Sequence, residues 1–323
     1  MLFADRTFPA ASTTLRAAAP DLEVTVGPVD GVVEADVVVP LLTRIDGEFM
    51  DRTKGLRLIQ QWGAGLEGVD VGAATERGIM VGNVPSAATG NAGSVAEWCV
   101  MAALGLSRRL TELGTTIRTG GQWGGPLGRA MAGRTAVIVG FGGIGRALAQ
   151  RLRGFDLTLH AVTRTPDPTD RTTFGLAGLS DLTGLRPLLP QCDYLFLCLP
   201  LTPDTAGLVD AAALDALPPD AIVVNAGRGK LIDEDALLAA LRSGRLGGAA
   251  LDVFATEPLD PASPLLREPN VLATPHIAGV TDLSYRNLAA HVTTYLDQLR
   301  AAEPLVHCVN WPGQSQAVSR PST

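Results

Sequence analysis

Three glycines that directly follow a strongly apolar run constrain the fold of this chain more than any other feature. Residues 135–139 are apolar apart from the first and rich in β-branched side chains, which predicts a buried strand. Gly140-x-Gly142-x-x-Gly145 follows without a gap, and residues 146–152 continue at helical period. A strand, a glycine-rich turn and a helix in this order are typical of the dinucleotide-binding unit of a doubly wound α/β fold.

Each glycine of the turn has a separate role in such a unit. Gly140 permits the tight turn, Gly142 lets the backbone approach a pyrophosphate, and Gly145 allows close packing of helix on strand. Gly143 and Ile144 lie in the first helical turn, whose free N–H groups and positive dipole favour phosphate. The motif therefore predicts a dinucleotide site; the alternative is a glycine-rich turn without a ligand.

The α/β pattern extends over the whole chain. Short β-rich runs alternate with Ala/Leu-rich segments of helical period, which predicts βαβ units on parallel sheets. A chain of 323 residues exceeds the usual size of a single core, so two domains are expected. We expect an α/β protein of two Rossmann-like domains with doubly wound parallel sheets and a cleft between them. Residues 1–94 and 280–323 would form one domain, and residues 95–279 the other.

Individual elements follow from the same pattern. The predicted strands are residues 24–26, 37–40, 58–60, 79–81, 135–139, 157–159, 194–198, 221–224, 248–251 and 271–273. The predicted helices include residues 94–110, with Ser94 as the N-cap, residues 234–242 and residues 282–301.

Composition limits the partners and the compartment. A net charge of −7 argues against a nucleic-acid partner, and the longest apolar stretches are too short to span a bilayer. The N-terminus lacks a basic flank followed by a long apolar run, so no signal peptide is expected. The cysteines form no C-x-x-C pair and have no histidine at metal-ligand spacing; they are Cys99, Cys192, Cys198 and Cys308. We expect no metal site, no membrane partner and a cytoplasmic protein.

The second predicted strand of the dinucleotide unit indicates which cofactor it binds. Units that bind NAD usually carry an acidic residue about 20 residues after the glycines, which binds the ribose hydroxyl. Here the strand ends in Thr163-Arg164-Thr165, without an acid. A guanidinium binds phosphate with two donors, so we predict NADP(H) over NAD(H), with Thr163 and Arg164 as contacts. The alternative is that Arg164 stacks on adenine or faces solvent.

Three later segments follow predicted strands, and they offer a guanidinium, a carboxylate and an imidazole in turn. They are residues 225–229, 251–258 and 274–279, with Arg228, Glu257 and His276 respectively. A guanidinium anchors a carboxylate, and an imidazolium donates a proton to an oxygen on which charge develops. A nearby carboxylate favours the imidazolium. Together with a dinucleotide site, the three predict hydride transfer to a small 2-keto acid, with His276 as acid and, in reverse, as base.

Residues 60–310 resemble the D-isomer-specific 2-hydroxyacid dehydrogenase family, which includes glyoxylate/hydroxypyruvate reductases and phosphoglycerate dehydrogenases. The most specific stretches are residues 199–205, 225–231, 251–258 and 274–279. The resemblance implies an NAD(P)-dependent oxidoreductase in which Arg228 binds substrate and Glu257 and His276 form the catalytic pair. It also implies cofactor contacts at Leu199, Pro200, Thr205, Ala226 and Asp252, the last of these near the nicotinamide. Residues 95–279 would then be the dinucleotide-binding domain.

The resemblance further implies a substrate loop in the first domain, at Trp62-Gly-Ala-Gly65. Small residues there let backbone N–H groups face an anion, which makes Ala64 and Gly65 candidates for binding the substrate carboxylate. Trp62 either narrows the pocket or fills the core. Glu67 stands where the family often has Asp. A formate-dehydrogenase-like activity is disfavoured, because that branch carries Gln where Glu257 stands.

A homodimer is also implied by the resemblance, with residues 114–126 as a contact region. Trp123 in this glycine-rich segment either packs on a partner subunit or covers its own domain. The alternative function is that of a dinucleotide-binding, corepressor-like interaction protein without significant turnover.

Overall fold

The chain divides into two compact units. The computed structural model describes residues 1–27, 31, 33–121 and 123–310. Unit 1 comprises Met1–Gly90 together with the chain from Asp282 onward, and unit 2 comprises Asn91–Thr281. The predicted domain boundaries, after residues 94 and 279, differ from these by four and two residues.

Unit 1 is built on a parallel sheet. Its strands are β1 (Leu2–Phe3), β2 (Thr25–Val26), β3 (Val33–Glu34), β4 (Val37–Val39), β5 (Thr53–Lys54), β6 (Leu58–Gln60) and β7 (Met80–Gly82). Its first helices are α1 (Pro9–Ala18), α2 (Gly47–Arg52) and α3 (Val71–Glu76). Five strands form one sheet in the order β2-β1-β4-β6-β7, while β3 and β5 pair separately. Leaving that pair aside, the order 2-1-3-4-5 is the flavodoxin-like arrangement.

The core of unit 1 explains the position of Trp62. Val38, Ile59 and Val81 are fully buried in the sheet. The Trp62 indole is also buried and packs edge-on against two rings, Phe3 at 5.8 Å and Tyr285 at 5.6 Å between ring centroids. Trp62 therefore fills the core of unit 1.

Unit 2 is built on a larger parallel sheet. Its strands are β8 (Thr135–Val139), β9 (Thr158–Val162), β10 (Gly178–Ser180), β11 (Tyr194–Leu197), β12 (Ala221–Asn225), β13 (Leu246–Leu251) and β14 (Val271–Ala273). Its α-helices are α4 (Asn91–Ser107), α5 (Leu110–Arg118), α6 (Gly143–Leu152), α7 (Pro168–Phe174), α8 (Leu185–Leu188), α9 (Ala211–Ala216) and α10 (Glu234–Arg242).

The strand order of this sheet is that of a dinucleotide-binding domain. The order is β10-β9-β8-β11-β12-β13-β14, all parallel, and it reverses between β8 and β11. In open sheets of this kind the ligand binds at the carboxyl ends of the strands next to the reversal. Both faces are covered, since Val137 and Val139 join one buried cluster and Ala136 and Ile138 the other. Burial on both faces explains the uninterrupted apolar run at residues 136–139. The predicted Rossmann-like α/β class is confirmed.

Two predictions about the connecting segments are wrong. Helix α4 begins at Asn91, so Ser94 lies inside it and is no N-cap; its Oγ instead lies 2.8 Å from Oγ1 of Thr281. The helix ends at Ser107 and a second helix, α5, starts at Leu110, because Arg109 between them has a left-handed backbone with φ +51°. The predicted helix, residues 94–110, therefore extends three residues past the end of α4, and α5 is not predicted, because residue spacing alone does not show such a break.

The chain returns to unit 1 through helix α11 (Asp282–Arg300). Leu288, Val292 and Leu296 lie on its buried side, and the hydroxyl of Tyr295 donates to the Asn83 carbonyl at 3.3 Å. Beyond the helix, Val309 N donates to the Val81 carbonyl at 2.8 Å.

Other features of the described chain bear on the predicted partners. No helix in the described ranges is both long and apolar enough to cross a membrane. The same residues contain no group of side chains arranged to hold a metal ion. All four cysteines are free; Cys99 and Cys192 are buried and Cys198 and Cys308 half-buried.

Candidate active site

The glycine turn after β8 has the geometry that a pyrophosphate site requires. Gly140 has φ +97°, and a Cβ on it would lie 2.6 Å from the carbonyl carbon of Cys198. A Cβ on Gly145 would overlap the Gly140 carbonyl oxygen, so α6 packs on the turn only with glycine there. Gly142 is the N-cap of α6, and a Cβ on it would meet nothing within 4 Å. The space in front of the helix N-terminus is open, so the residues present fit a dinucleotide phosphate.

Every site residue predicted in unit 2 follows the carboxyl end of a strand of the seven-stranded sheet. The glycine turn with Gly143 and Ile144 follows β8, Thr163 and Arg164 follow β9, Leu199, Pro200 and Thr205 follow β11, Ala226 and Arg228 follow β12, Asp252 and Glu257 follow β13, and His276 follows β14. Because the strands are parallel, these residues lie along one edge of the sheet.

Arg164 is exposed at the end of β9 and has no hydrogen-bonding or ionic partner among the described residues. The backbone N–H of Thr163 donates to Ser180 at 3.0 Å, which ties this end of β9 to β10. The nearest carboxylates further along the chain are already engaged. Asp167 accepts from Thr169 N as the N-cap of α7. Asp170 is buried and pairs with Arg146 at 2.8 Å.

The loop after β11 stabilises itself through a threonine. The hydroxyl of Thr205 donates to the Pro200 carbonyl at 2.9 Å and accepts from Thr202 N at 2.7 Å. Thr205 is buried, so its hydroxyl fixes the loop from inside. The Leu199 backbone lies 2.7 Å from the position of a Cβ on Gly140, which places the loop directly against the glycine turn.

Asn225, the buried last residue of β12, fixes the turn that carries Arg228. Its amide donates to the Arg228 carbonyl at 3.0 Å, and its oxygen accepts from Gly227 N at 3.1 Å. The following Gly229 packs against the backbone at Phe254, and a Cβ on Gly229 would overlap the Phe254 carbonyl carbon. The turn with Arg228 and the loop that leads to Glu257 are therefore in direct contact.

Glu257 and His276 form a hydrogen-bonded pair at this edge. Nδ1 of His276 lies 2.8 Å from Oε2 of Glu257, and Oε1 of Glu257 accepts from Phe254 N at 2.9 Å. Because the carboxylate accepts, Nδ1 carries the proton, and Nε2 has no partner among the described residues. His276 has a left-handed backbone, φ +55°, which is uncommon for a residue with a side chain.

The neighbouring side chains His276 and Arg228 change the pKa of Glu257. Burial raises the pKa of Glu257, but the hydrogen bond and charge of His276, the Phe254 amide and the charge of Arg228 together lower the pKa below its ordinary value of 4.5. The carboxylate is therefore ionised at neutral pH. The stability that the ionised Glu257 contributes is present in full above its ordinary pKa of 4.5. It is lost as the pH falls through the lowered pKa of Glu257 in the folded protein. The structure thus brings Arg228, Glu257 and His276 together.

Asp252 is buried, and its carboxylate is bound by the segment that carries His276. Oδ1 accepts from the Thr274 hydroxyl at 2.6 Å and from Ile277 N at 2.8 Å, and Oδ2 accepts from Ala278 N at 2.8 Å. Burial raises the pKa of Asp252, although these hydrogen bonds and the charge of His276 oppose the rise.

The predicted substrate loop lies in unit 1, after β6. Asn83 donates to the Ala64 carbonyl at 2.8 Å, and Val84 N donates to the Gly63 carbonyl at 2.8 Å. The N–H groups of Ala64 and Gly65 donate to no group within the described ranges. The loop is therefore fixed through its carbonyls, and two adjacent N–H groups are available for an anion.

Two residues of the site were missed by sequence reasoning. Asn225 had a signal, since a polar residue at the end of an apolar strand must find partners when buried. Glu234 had none: its Oε1 accepts from Ala255 N at 2.6 Å, across 21 residues of chain. That contact stabilises the loop leading to Glu257 and depends on how α10 packs.

Comparisons with known proteins agree with this geometry. The NAD binding domain model of the D-isomer specific 2-hydroxyacid dehydrogenases matches residues 100–278. Glyoxylate/hydroxypyruvate reductase B of Yersinia enterocolitica is 36% identical over 273 residues, covering 83% of this chain and 81% of the relative. D-3-phosphoglycerate dehydrogenase of Archaeoglobus fulgidus is 31% identical over 278 residues, or 85% of this chain, which spans 51% of that relative's length.

A solved structure extends the similarity to the three-dimensional fold. The NADPH-dependent glyoxylate/hydroxypyruvate reductase of Sinorhizobium meliloti, in complex with NADP and malonate, superposes with a TM-score of 0.82 at 28% identity over 98% of each chain. The resemblance predicted from the motifs is confirmed. The chain belongs to the D-isomer specific 2-hydroxyacid dehydrogenase family and is an NAD(P)-dependent oxidoreductase.

Proposed function

We propose that this protein reduces a small 2-keto acid of the glyoxylate and hydroxypyruvate class to the D-2-hydroxy acid, with NADPH as the preferred reductant. The observation that carries the proposal is the 2.8 Å contact between His276 and the Glu257 carboxylate. The positive charge of Arg228 also lowers the pKa of this carboxylate. Two relatives that carry the name glyoxylate/hydroxypyruvate reductase support the substrate class.

In the proposed mechanism the chain's own residues bind, orient and protonate the ketone. Arg228 binds the substrate carboxylate with two parallel donors. In unit 1, Ala64 and Gly65 offer adjacent backbone N–H groups of the kind that bind a carboxylate. When bound, the reduced nicotinamide supplies the hydride. His276, oriented by Glu257 through Nδ1, gives its Nε2 proton to the carbonyl oxygen as negative charge develops there, and accepts it back in the oxidative direction.

The same proposal assigns the dinucleotide to the carboxyl edge of the seven-stranded sheet. Gly140, Gly142, Gly143, Ile144 and Gly145 would hold the pyrophosphate. Thr163 and Arg164 would bind the adenosine ribose and its phosphate. Leu199, Pro200 and Ala226 would contact the remaining nucleotide, with Thr205 fixing the loop of Pro200.

The activity is tested by following NADPH absorbance with glyoxylate, hydroxypyruvate and pyruvate, each repeated with NADH. The proposal expects turnover with at least one of these acids and a higher kcat/KM with NADPH. Flat absorbance with every acid and both cofactors would contradict it and favour the corepressor-like interaction role instead.

Arg164 provides a test of cofactor choice. Arg164→Ala should raise the KM for NADPH roughly tenfold or more, because charge-assisted hydrogen bonds to a phosphate contribute about 1.5–3 kcal/mol. The KM for NADH should change little. Arg153→Ala is the matched control, an exposed arginine that follows the C-terminal end of α6. Equal effects of Arg164→Ala on the two cofactors would contradict the phosphate contact.

We also propose that the protein is a homodimer through helix α5 and the loop after it. Helix α5 buries none of its residues, although Leu110 and Ile117 recur on one face. In the following loop Trp123 is 89% exposed and Leu127 is 91% exposed, so neither covers its own unit. An apolar surface of this kind is typical of a protein interface. The cytoplasmic location and the lack of a nucleic-acid partner stay predictions from composition.

Sedimentation velocity tests the dimer. The wild-type protein should sediment as a dimer, and the double variant Trp123→Ser, Leu127→Ser should shift toward the monomer, because each loses a large apolar contact. Val306→Ser, an exposed apolar residue of unit 1, is the control and should leave the dimer intact. A wild-type monomer at micromolar concentration would contradict the proposal.

A further inference from the structure

Asp252 follows β13 at the edge of the sheet, where the resemblance implies a contact with the nicotinamide. Within the chain its hydrogen bonds go to the segment that follows β14. Both carboxylate oxygens accept from the segment Thr274 to Ala278, through one hydroxyl and two backbone N–H groups at 2.6–2.8 Å. The backbone carbonyl of Asp252 also accepts from His276 N at 2.9 Å. Four hydrogen bonds therefore join this one residue to the segment that carries the imidazole.

That segment has a backbone conformation that needs such support. His276 has φ +55°, in the left-handed region, and this conformation is unfavourable for a residue with a side chain unless its surroundings impose it. Its N–H also lies 3.0 Å from the Thr274 carbonyl, so the chain turns sharply at Pro275. The two amides directly after His276 are the ones that Asp252 binds.

Asp252 and Glu257 act on different parts of the segment that carries His276. Glu257 binds the ring at Nδ1, while the Asp252 carboxylate accepts from the Thr274 hydroxyl before His276 and from two backbone N–H groups after it. A carboxylate that is 2% exposed is costly to bury, and burial does raise the pKa of Asp252 in spite of the hydrogen bonds. The cost of burying a carboxyl group in this place favours a functional reason for its presence.

We propose that Asp252 is a positioning residue that holds the turn at residues 274–278 in the conformation from which the His276 ring reaches both Glu257 and the substrate. The inference rests on the proposed role of His276 and adds to it the group that fixes its backbone. In this role Asp252 acts on kcat through the histidine, in addition to any contact that it makes with the nicotinamide.

Asp252→Asn tests the inference with almost no change of shape. An asparagine has one acceptor where the carboxylate has two, so whichever way the amide turns, a backbone N–H of Ile277 or Ala278 faces an NH₂ group. We expect kcat to fall about 100-fold, because a small displacement of a reacting group has an effect of that size. The dissociation constant of NADPH is measured by fluorescence titration, so that kcat is compared at saturating cofactor. Amide exchange in a peptide covering residues 274–280 should rise about tenfold.

Two further variants make the result specific. Asp193→Asn is the matched control, since Asp193 precedes β11 at the opposite edge of the same sheet and accepts from Thr135 N, Arg129 and Arg134. It should lower the melting temperature while kcat and exchange at 274–280 stay at wild-type values. Thr274→Val removes one donor to Asp252 and leaves the hydrogen bonds from Ile277 N and Ala278 N, so it should lower kcat only a few-fold. This variant also tests the inference if Asp252→Asn does not fold.

Three outcomes separate the explanations. Weaker NADPH binding with an unchanged kcat at saturation would overturn the inference and make Asp252 a cofactor contact. Unchanged exchange at residues 274–280 in Asp252→Asn would overturn it as well. A wild-type protein that consumes no NADPH with any 2-keto acid would contradict the proposed function, and the exchange measurement would still decide whether Asp252 fixes the turn.

Discussion

Replacing His276 with alanine is expected to lower kcat by on the order of 10²–10⁴, the usual contribution of a general acid–base group. In the proposed mechanism the ring bound to Glu257 at 2.8 Å donates the proton that the reduced carbonyl needs, and Nε2 has no partner in the described part of the chain. NADPH affinity should survive, since the glycine turn is untouched. The measurement is a steady-state kcat at saturating substrate, together with a fluorescence titration of NADPH.

His307→Ala is a closely matched control for this variant. His307 has φ +63°, so both substitutions place alanine in a left-handed backbone and carry a similar conformational cost. His307 is exposed, and its replacement should leave kcat unchanged. His276→Asn adds a variant whose residue tolerates this backbone. Should His276→Ala and His276→Asn both retain wild-type kcat, the acid–base role would be disproved.

Replacing Arg228 with lysine is expected to lower kcat/KM for the 2-keto acid by on the order of 100-fold, even though the charge is kept. A guanidinium offers two parallel donors to a carboxylate, whereas an ammonium acts as a point charge. Each charge-assisted hydrogen bond contributes about 1.5–3 kcal/mol, and every 1.4 kcal/mol is tenfold. The loss should appear mainly in the KM for the acid, and Arg228→Ala should abolish turnover.

Arg242→Lys controls for the arginine-to-lysine change. Arg242 pairs with Glu268 at 2.8 Å on an exposed part of unit 2, so this variant should keep wild-type kinetics. In Arg228→Lys the affinity for NADPH should also stay constant. A loss of NADPH affinity with unchanged KM for the 2-keto acid would show that Arg228 serves the cofactor and not the substrate.

The buried strands of unit 2 were the part of the fold most accessible from sequence. Strands β8, β11 and β12 carry continuous apolar runs, because both faces of the sheet are covered, and their predicted positions match within one residue. Strand β1 was missed: two residues, Leu2 and Phe3, show no periodicity, yet they pair with strands on both sides. The edge strand β10 was missed for the same reason, since Gly178–Ser180 is short and only half-buried.

For the site, sequence reasoning found the residues but not their contacts. The motifs named Arg228, Glu257 and His276 because each follows the end of a strand, and parallel strands bring such ends to one edge. Which atoms those residues bind could not be read from spacing. The contact of Gly229 with the Phe254 backbone, the support from Glu234 and the four hydrogen bonds of Asp252 to the His276 turn all join segments that are more than 15 residues apart. Such partners are set by packing.

The discontinuous course of unit 1 has a consequence for synthesis on the ribosome. Unit 2 is one continuous stretch, so all of its strands are synthesised before α11. Strands β1 to β7 are synthesised earlier still. The helix that buries Tyr285 and Leu288 against them is synthesised only after unit 2, and so is the amide of Val309 that binds Val81. Part of the apolar surface of β1 to β7 therefore stays uncovered until translation has passed residue 309. During that interval this surface is accessible to aggregation and to chaperones.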